Sequence, residues 1–364
     1  MRNTLGDGVT LTLFGESHGK GIGAVLDGLA PGIKVDTDFL EFQLSKRRPQ
    51  GHLESSRIEQ DQYTILSGVF QGYTTGAPLA IVIENQDVRS SDYCDISHLA
   101  RPSHADYTAL MKYHGYSDYR GGGHFSGRIT APIVALGAIV QKALEQKQIY
   151  IGTHILTCGG IKDRPFADYP KDILSLQTKL FPVLDDVEKQ MKEKMEEAFF
   201  QQDSLGGILQ TAIIGLPAGL GEPWFSSVEG KLANALFSIG GIKGIEFGAG
   251  FDFAKMSGSK ANDSFYMDNQ TIRTKTNHNG GINGGITNGM PIRFNVVVKP
   301  TPSIGQIQDT VDLLQKKDTH IQIQGRHDPA IIRRMAVVVD SLVAIVIADL
   351  LASRYGNDFL TFEA

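Results

Sequence analysis

"MAVVVDSLVAIVIADLLA", residues 335–352, is the most apolar tract of the chain, and its reading decides the fold. As one helix these eighteen residues span about 27 Å, just short of the roughly 30 Å of a bilayer's hydrocarbon. Asp340 and Asp349 interrupt the run. The tract therefore reads as a helix buried in a protein core, within a helical segment from about Asp328 to Ser353. Such a helix needs layers on every side.

Those layers are legible upstream. "PIRFNVVVKPTPS" from Pro291 is a strong strand that runs into a loop. "GGILQTAIIGLPAG", "QYTILSGVF", "PLAIVIEN", "VTLTLF" and "GIGAVLDGL" also read as strands. "APIVALGAIVQKALEQK" from Ala131, "ADYTALMKYHG" and "TDFLEFQLSKRR" read as helices, the last stopped by Pro49. "VEGKLANALFSIGGIKGIEFGAGF" is a helix, a glycine break and a strand. "FPVLDDVEKQMKEKMEEAFFQQ" spaces Leu184, Val187, Met191, Met195 and Phe199 as one buried stripe of a surface helix. Adjacent strand pairs among these helices predict an α+β layered body rather than a regular parallel wheel.

The chain has 364 residues, enough for two or three domains or for one large domain with an internal pseudo-repeat. Its 41 glycines gather in bursts at 121–123, 159–160, 206–207, 240–241, 280–281 and 284–285, none of them in a Ser/Pro-rich linker. A net charge of −5 argues against a general nucleic-acid binder. Cys94 and Cys158 suggest neither a disulfide framework nor metal-ligand pairing, consistent with a reducing cytosol. The opening "MRNTLGDGVTLTLFGESHG" lacks an apolar signal core. The expectation is a soluble cytoplasmic protein that binds neither membrane nor nucleic acid.

Basic residues crowd into one third of the chain: Lys46, Arg47, Arg48, Arg57, Arg101, His104, Arg120, His124 and Arg128. Several adjoin glycine or proline at element ends, where binding loops sit. Guanidinium forks match phosphate and carboxylate, so a small polyanion is the expected partner. In "GESHG", Ser17 and His18 are adjacent and so point to opposite sides of an extended chain, which disfavours a nucleophile–base pair. His18 alone is a candidate general acid. "RPSHAD" sets Arg101 and His104 around a proline turn. "GRHDPAIIRR" offers Arg326, His327 and Asp328, the last either functional or an N-cap with Pro329 at N1. "GGGHFSGR", residues 121–128, is a weak dinucleotide fingerprint but a plausible anion-receiving turn ahead of a helix N-terminus.

Taken in order, "FGESHGKGIGAVLDGLAPG", "RPSHADYTALMKYHGYSDYRGGG", "SGRIT", "DSLGG", "NHNGGINGGITNG", "KPTPSI" and "GRHDPAIIRR" resemble the chorismate synthases over about residues 5–350. The resemblance implies a β-α-β sandwich with two related halves, one domain over 1–364, assembled as a homotetramer. It implies loss of phosphate and a C6 proton from 5-enolpyruvylshikimate 3-phosphate, with reduced FMN as cofactor. NADPH enters as the reductant of bifunctional members; no long insertion marks that type here. By the same resemblance His18 protonates the departing phosphate, His104 protonates the reduced flavin, and Asp328 works on the C6 proton. Arg47, Arg48, Arg101, Arg128 and Arg326 would bind substrate. His124, Phe125, Ser126, Gly240, Gly241, Gly284, Lys299, Pro300, Thr301, Pro302, Ser303 and Arg326 would meet the flavin; no metal is implied. The chain departs from the family pattern at His124, Phe125 and Gly127, at His52–Leu53, at Gly240–Gly241 and at Asp340. Two other readings fit part of the pattern: an NAD(P)H-linked FMN oxidoreductase, and a non-catalytic relative whose pocket has changed.

Overall fold

The computed structural model describes residues 2–51, 54, 60–86, 98–323 and 328–361. Strands form where buried and less buried residues alternate, as along Leu79–Glu84 and Ile292–Val298. The first sheet contains β1 (Thr4–Leu5), β2 (Thr10–Gly15), β3 (Gly21–Asp27), β4 (Tyr63–Ser67) and β5 (Leu79–Glu84), ordered β1-β2-β3-β5-β4. The second contains β6 (Tyr150–Cys158), β7 (Ile161–Lys162), β8 (Gly207–Ile214), β9 (Ile242–Phe247) and β10 (Ile292–Val298), ordered β9-β10-β8-β6-β7. Every pairing in both is antiparallel. The order β3-β5-β4 in the first sheet recurs as β8-β10-β9 in the second. A further hairpin, Ile307–Asp312 with Lys317–Gln322, lies outside both sheets and was not legible in the sequence.

Helices fill the space between the sheets. α1 (Thr37–Arg47) follows β3 just as α6 (Val228–Leu236) follows β8, and each is capped by a side chain, Asp36 on the Phe39 N–H and Ser227 on the Gly230 N–H. Between them in the chain come α2 (Asp106–Tyr113), α3 (Thr130–Gln146), α4 (Tyr169–Gln177) and α5 (Glu188–Phe200). The tract at 335–352 lies in α7 (Ile332–Tyr355), about 36 Å long. By length and composition Gly127–Gln146, which is α3 with the turn before it, and α7 could each cross a membrane, but 78% and 89% of their most apolar windows are buried inside the fold. α3 lies on β3 and β5, α7 on β6 and β8, and the two helices pack on each other. They run parallel: Gly137 meets Ser341 partway along, and beyond their C-terminal ends the Lys147 ammonium sits over the Phe359 ring. One apolar cluster extends from Val9 to Leu360 across both sheets.

Two expectations need correction. The buried stripe of α5 is Met191, Met195 and Ala198; Leu184 and Val187 precede the helix, and Phe199 is 40% exposed. α7 starts at Ile332, so Asp328 is not its N-cap. The Asp328 carboxylate instead accepts the Ala330 N–H at 3.1 Å, closing a turn before the helix begins.

A cavity of about 30 Å³ lies between α1, α3, α7 and β6, lined in part by Lys46, Gln141, Thr153 and Asp340. Burial pushes the Asp340 carboxyl up to about 6, with Thr153 and Lys46 pulling the other way. Because the folded pKa is raised, this carboxyl's contribution is fully present below about pH 4 and is lost as pH rises through about 6. Asp340→Asn should therefore stabilise the protein at about pH 7.5, by roughly 1–3 kcal/mol, and change little at pH 4. Urea unfolding at the two pH values checks this; equal stability of both proteins at pH 7.5 would refute it.

Candidate active site at one pole of the sandwich

β2 ends at Gly15, and the chain then turns through Glu16–Gly19. The Asn85 amide donates to the Glu16 and Gly19 carbonyls at 2.9 and 3.0 Å and so holds that turn. His18 is buried there, and its ring occupies the space a side chain at residue 121 would need. A Cβ on Gly121 would lie 2.0 Å from His18 Cε1. Gly121, Gly122 and Gly123 have φ of 58°, 84° and 53°, the left-handed region that glycine enters without strain. The loop is stitched to the turn by the Ser17 N–H on the Gly123 carbonyl, 3.1 Å, and by His124 Nδ1 donating to the Gly15 carbonyl, 2.8 Å. The glycine run thus builds the wall against which His18 is set. It leads through Ser126, whose hydroxyl accepts the Arg128 N–H, into α3. Phe125 is half exposed and meets Tyr113 edge-on.

The arginines of this pole are anchored by carboxylates the sequence did not single out. Asp61, itself buried, accepts from Arg47 Nη1 at 3.1 Å and pairs with Arg128 Nη1. Arg47 also donates to the Thr130 hydroxyl and the Gly127 carbonyl, and Arg128 to the Asn85 side chain. Among the described residues Asp61 is thus shared between the two guanidiniums. Arg101 grips Asp106 with both prongs, at 2.8 and 2.7 Å. Arg48, just past the end of α1, reaches Glu41 at 3.3 Å. Arg326, like His52, Leu53, Arg57, Cys94 and His327, lies outside the described residues.

The second half of the chain closes the pole. Lys299, at the end of β10, donates from Nζ to the Ser103 carbonyl at 2.9 Å, which sets it beside His104. His104 Nδ1 donates to the Pro102 carbonyl at 3.0 Å, leaving Nε2 as the free-facing nitrogen of the neutral ring. Burial, together with the Arg101 charge, holds the His104 pKa below the ordinary imidazole value. Burial, with Lys243 nearby, lowers that of Lys299. The Lys299 N–H meets the Gly241 carbonyl at 2.9 Å, while the space around Gly240 is open. Ser204 donates to the Thr301 carbonyl at 2.6 Å and Leu205 N–H to the Pro329 carbonyl at 2.7 Å, so "DSLGG" ties the Lys299–Ser303 loop to Asp328. Gly206 is needed for this approach: a Cβ there would lie 2.7 Å from the Val298 carbonyl and 2.9 Å from Pro300. Asp328 is buried and also accepts from Arg334.

His18, His104, Asp328, Arg47, Arg48, Arg101, Arg128, Gly121–Ser126, Gly240–Gly241 and Lys299–Ser303 thus gather toward one end of the helix pair. Gly284 does not join them. It lies in a hairpin turn beyond the far end of β10, next to Gly285, where a Cβ would stand 2.7 Å from Ser227 Cβ, and the length of the strand, about 20 Å, separates that end from Lys299. The sequence reading missed Asp61, Asn85 and Ser204. Each is an ordinary loop residue until the fold brings it beside an arginine, a turn or a loop carbonyl.

Imidazoles, guanidiniums and glycine-opened loops stand at one end of a two-sheet sandwich, groups able to hold an anion and to move a proton. The model of the family described as chorismate synthase matches residues 9–352. The chain is 46% identical over 346 residues to the chorismate synthase of Pyrococcus abyssi, covering 95% of this chain and 96% of that one. It is 44% identical over 356 residues to that of Dehalococcoides mccartyi, covering 96% of both. A crystal structure of chorismate synthase superposes with a TM-score of 0.76 at 28% identity, over 97% of this chain and 94% of that one. The chain belongs to the chorismate synthase family. It is accordingly a lyase acting on phosphates.

Proposed function

We propose that this protein converts 5-enolpyruvylshikimate 3-phosphate to chorismate by 1,4-anti elimination of phosphate and the C6 proton, with reduced FMN as cofactor. The observation that carries this reading is the meeting of His18, His104, Asp328 and the Asp61-linked arginines at one pole. The planar donor forks of Arg47 and Arg128 suit a substrate with one phosphate and two carboxylates. His18, held against Gly121, supplies a proton to the departing phosphate. Asp328, fixed by Ala330 and Arg334, is the carboxylate on the C6-proton side.

The pole fits a flavin mononucleotide. Thr301 Oγ1 is buried with no hydrogen-bond partner among the described residues, and Gly240 fronts open space. Ser126, Gly240, Gly241, Lys299, Thr301 and Ser303 would hold it. When bound in its reduced form, FMN would supply the electron density that lets phosphate depart although the C6 proton is unactivated. His104, whose Nε2 is left free by the Pro102 contact, would hold a proton at the flavin's edge. Bound anionic groups would raise its lowered pKa toward neutrality.

A cytoplasmic homotetramer belongs to the same reading. Trp224, Phe225 and Phe251 are 85%, 96% and 82% exposed, the apolar surface that association of copies would cover. The test is an anaerobic assay with chemically reduced FMN, following chorismate and free phosphate together. Equimolar release, absent with oxidised FMN, is the expected result; tight binding of both ligands without product would refute catalysis. Replacing the reductant by NADPH then decides whether the protein reduces its own flavin.

A further inference from the structure

Arg333, the second residue of α7, carries an interior guanidinium that the proposed reaction does not use. Its five N–H donors meet five acceptors. Nε and Nη2 grip Glu54 at 2.5 and 2.5 Å, Nη1 reaches the Lys46 carbonyl at 2.8 Å and the Leu180 carbonyl at 3.3 Å, and Nη2 also reaches the Arg48 carbonyl at 2.6 Å. Both Arg333 and Glu54 are buried. Glu54 in turn accepts the Gln50 N–H at 2.7 Å, which pins the chain leaving α1.

The placement has an electrostatic consequence. α1 points its C-terminal end toward the pole, and a helix C-terminus exposes carbonyls carrying partial negative charge. Arg47 and Arg48, two of the arginines assigned to the substrate's anionic groups, sit at that end, flanked by the Lys46 and Arg48 carbonyls that Arg333 covers. An uncovered helix end would repel a polyanion and would leave Arg47 and Arg48 loosely aimed.

We propose that Arg333, with Glu54 as its counter-ion, is a positioning residue of the anion site: it covers the C-terminal carbonyls of α1 and thereby aims Arg47 and Arg48. The inference rests on the substrate assigned above. Arg333→Met should raise KM for 5-enolpyruvylshikimate 3-phosphate at least tenfold, lower kcat less than threefold, and leave FMN affinity unchanged. Adding Glu54→Gln should recover part of the KM, because it removes the carboxylate left unpaired. Arg333→Lys should recover less than a third of the tenfold loss, since an ammonium cannot reach both carbonyls and the carboxylate.

A folded Arg333→Met protein with KM within twofold of the parent would overturn the proposal. So would parallel losses in kcat, substrate affinity and FMN affinity, which mark a merely structural role. If Arg333→Met does not fold, Glu54→Gln alone is judged by the same split between KM and kcat. If the parent protein makes no chorismate, the assigned reaction fails. The positioning role is then read by calorimetry with inorganic phosphate: weaker binding by the variant supports it and equal binding refutes it.

Discussion

His18→Asn is expected to lower kcat about 10²–10⁴-fold, the range associated with loss of a positioned proton donor, while FMN remains bound. Asparagine is close to imidazole in reach and keeps a hydrogen-bond donor, so the turn Glu16–Gly19 should survive. What it cannot do is give up a proton near neutral pH. The surroundings bury that group: His18 is only 8% exposed, and its ring lies against the Gly121 backbone. Rapid-quench measurement of phosphate release, compared with the parent over pH 5–9, checks the result. A kcat within threefold of the parent, with the same pH profile, would remove His18 from the chemistry.

Gly137→Val should cost at least about 3 kcal/mol of stability, the upper part of the range for overpacked cores. Gly137 lies where α3 crosses α7, and a Cβ there would stand 2.3 Å from Ser341 Cβ and 2.6 Å from Ser341 Cα. Backbone, not a flexible side-chain end, is what it would strike. Replacing glycine inside a helix ordinarily gains less than about 1 kcal/mol of helix propensity, far too little to offset separation of the two central helices. α3 and α7 also carry the loops of the active pole at their N-termini, so activity should fall along with stability. Urea unfolding gives the measurement, and an unchanged midpoint would mean that the helices can move apart freely.

Much of this was legible in the sequence because it depends on local pattern. The tract 335–352 read as a buried helix since two aspartates sit in an otherwise apolar run, and the strand in "VTLTLF", residues 9–14, announced itself by alternation. His18, His104 and Asp328 stand out in the sequence because each lies within two residues of glycine or proline in a distinctive motif. The glycine run 121–123 was legible as a special backbone, but its task was not. Its φ values serve to admit a histidine from a different segment, a contact no spacing in "GGGHFSGR" encodes.

The start of α7 at Ile332 was misread for a related reason. Asp-Pro favours a helix cap locally, yet Asp328 is held by Arg334 and by the Ala330 N–H in a turn packed against Leu205. Gly284 is the sharper case: a conspicuous glycine motif that the fold carries to the other end of β10, because an extended seven-residue strand separates its two ends by about 20 Å.

By itself, then, the sequence determined most of the elements, though not β6, α4 or the hairpin of Ile307–Asp312 with Lys317–Gln322, together with the layered α+β class, the family resemblance and the residue types able to handle a phosphate and a proton. Period, capping and motif are properties of neighbours along the chain. Only the tertiary structure decided which of those residues share a pole and what holds them there. Asp61 between two arginines, Ser204 between two loops and Arg333 under the end of α1 each join residues far apart in the chain, and their hydrogen bonds exist only once both sheets have closed on the central helices.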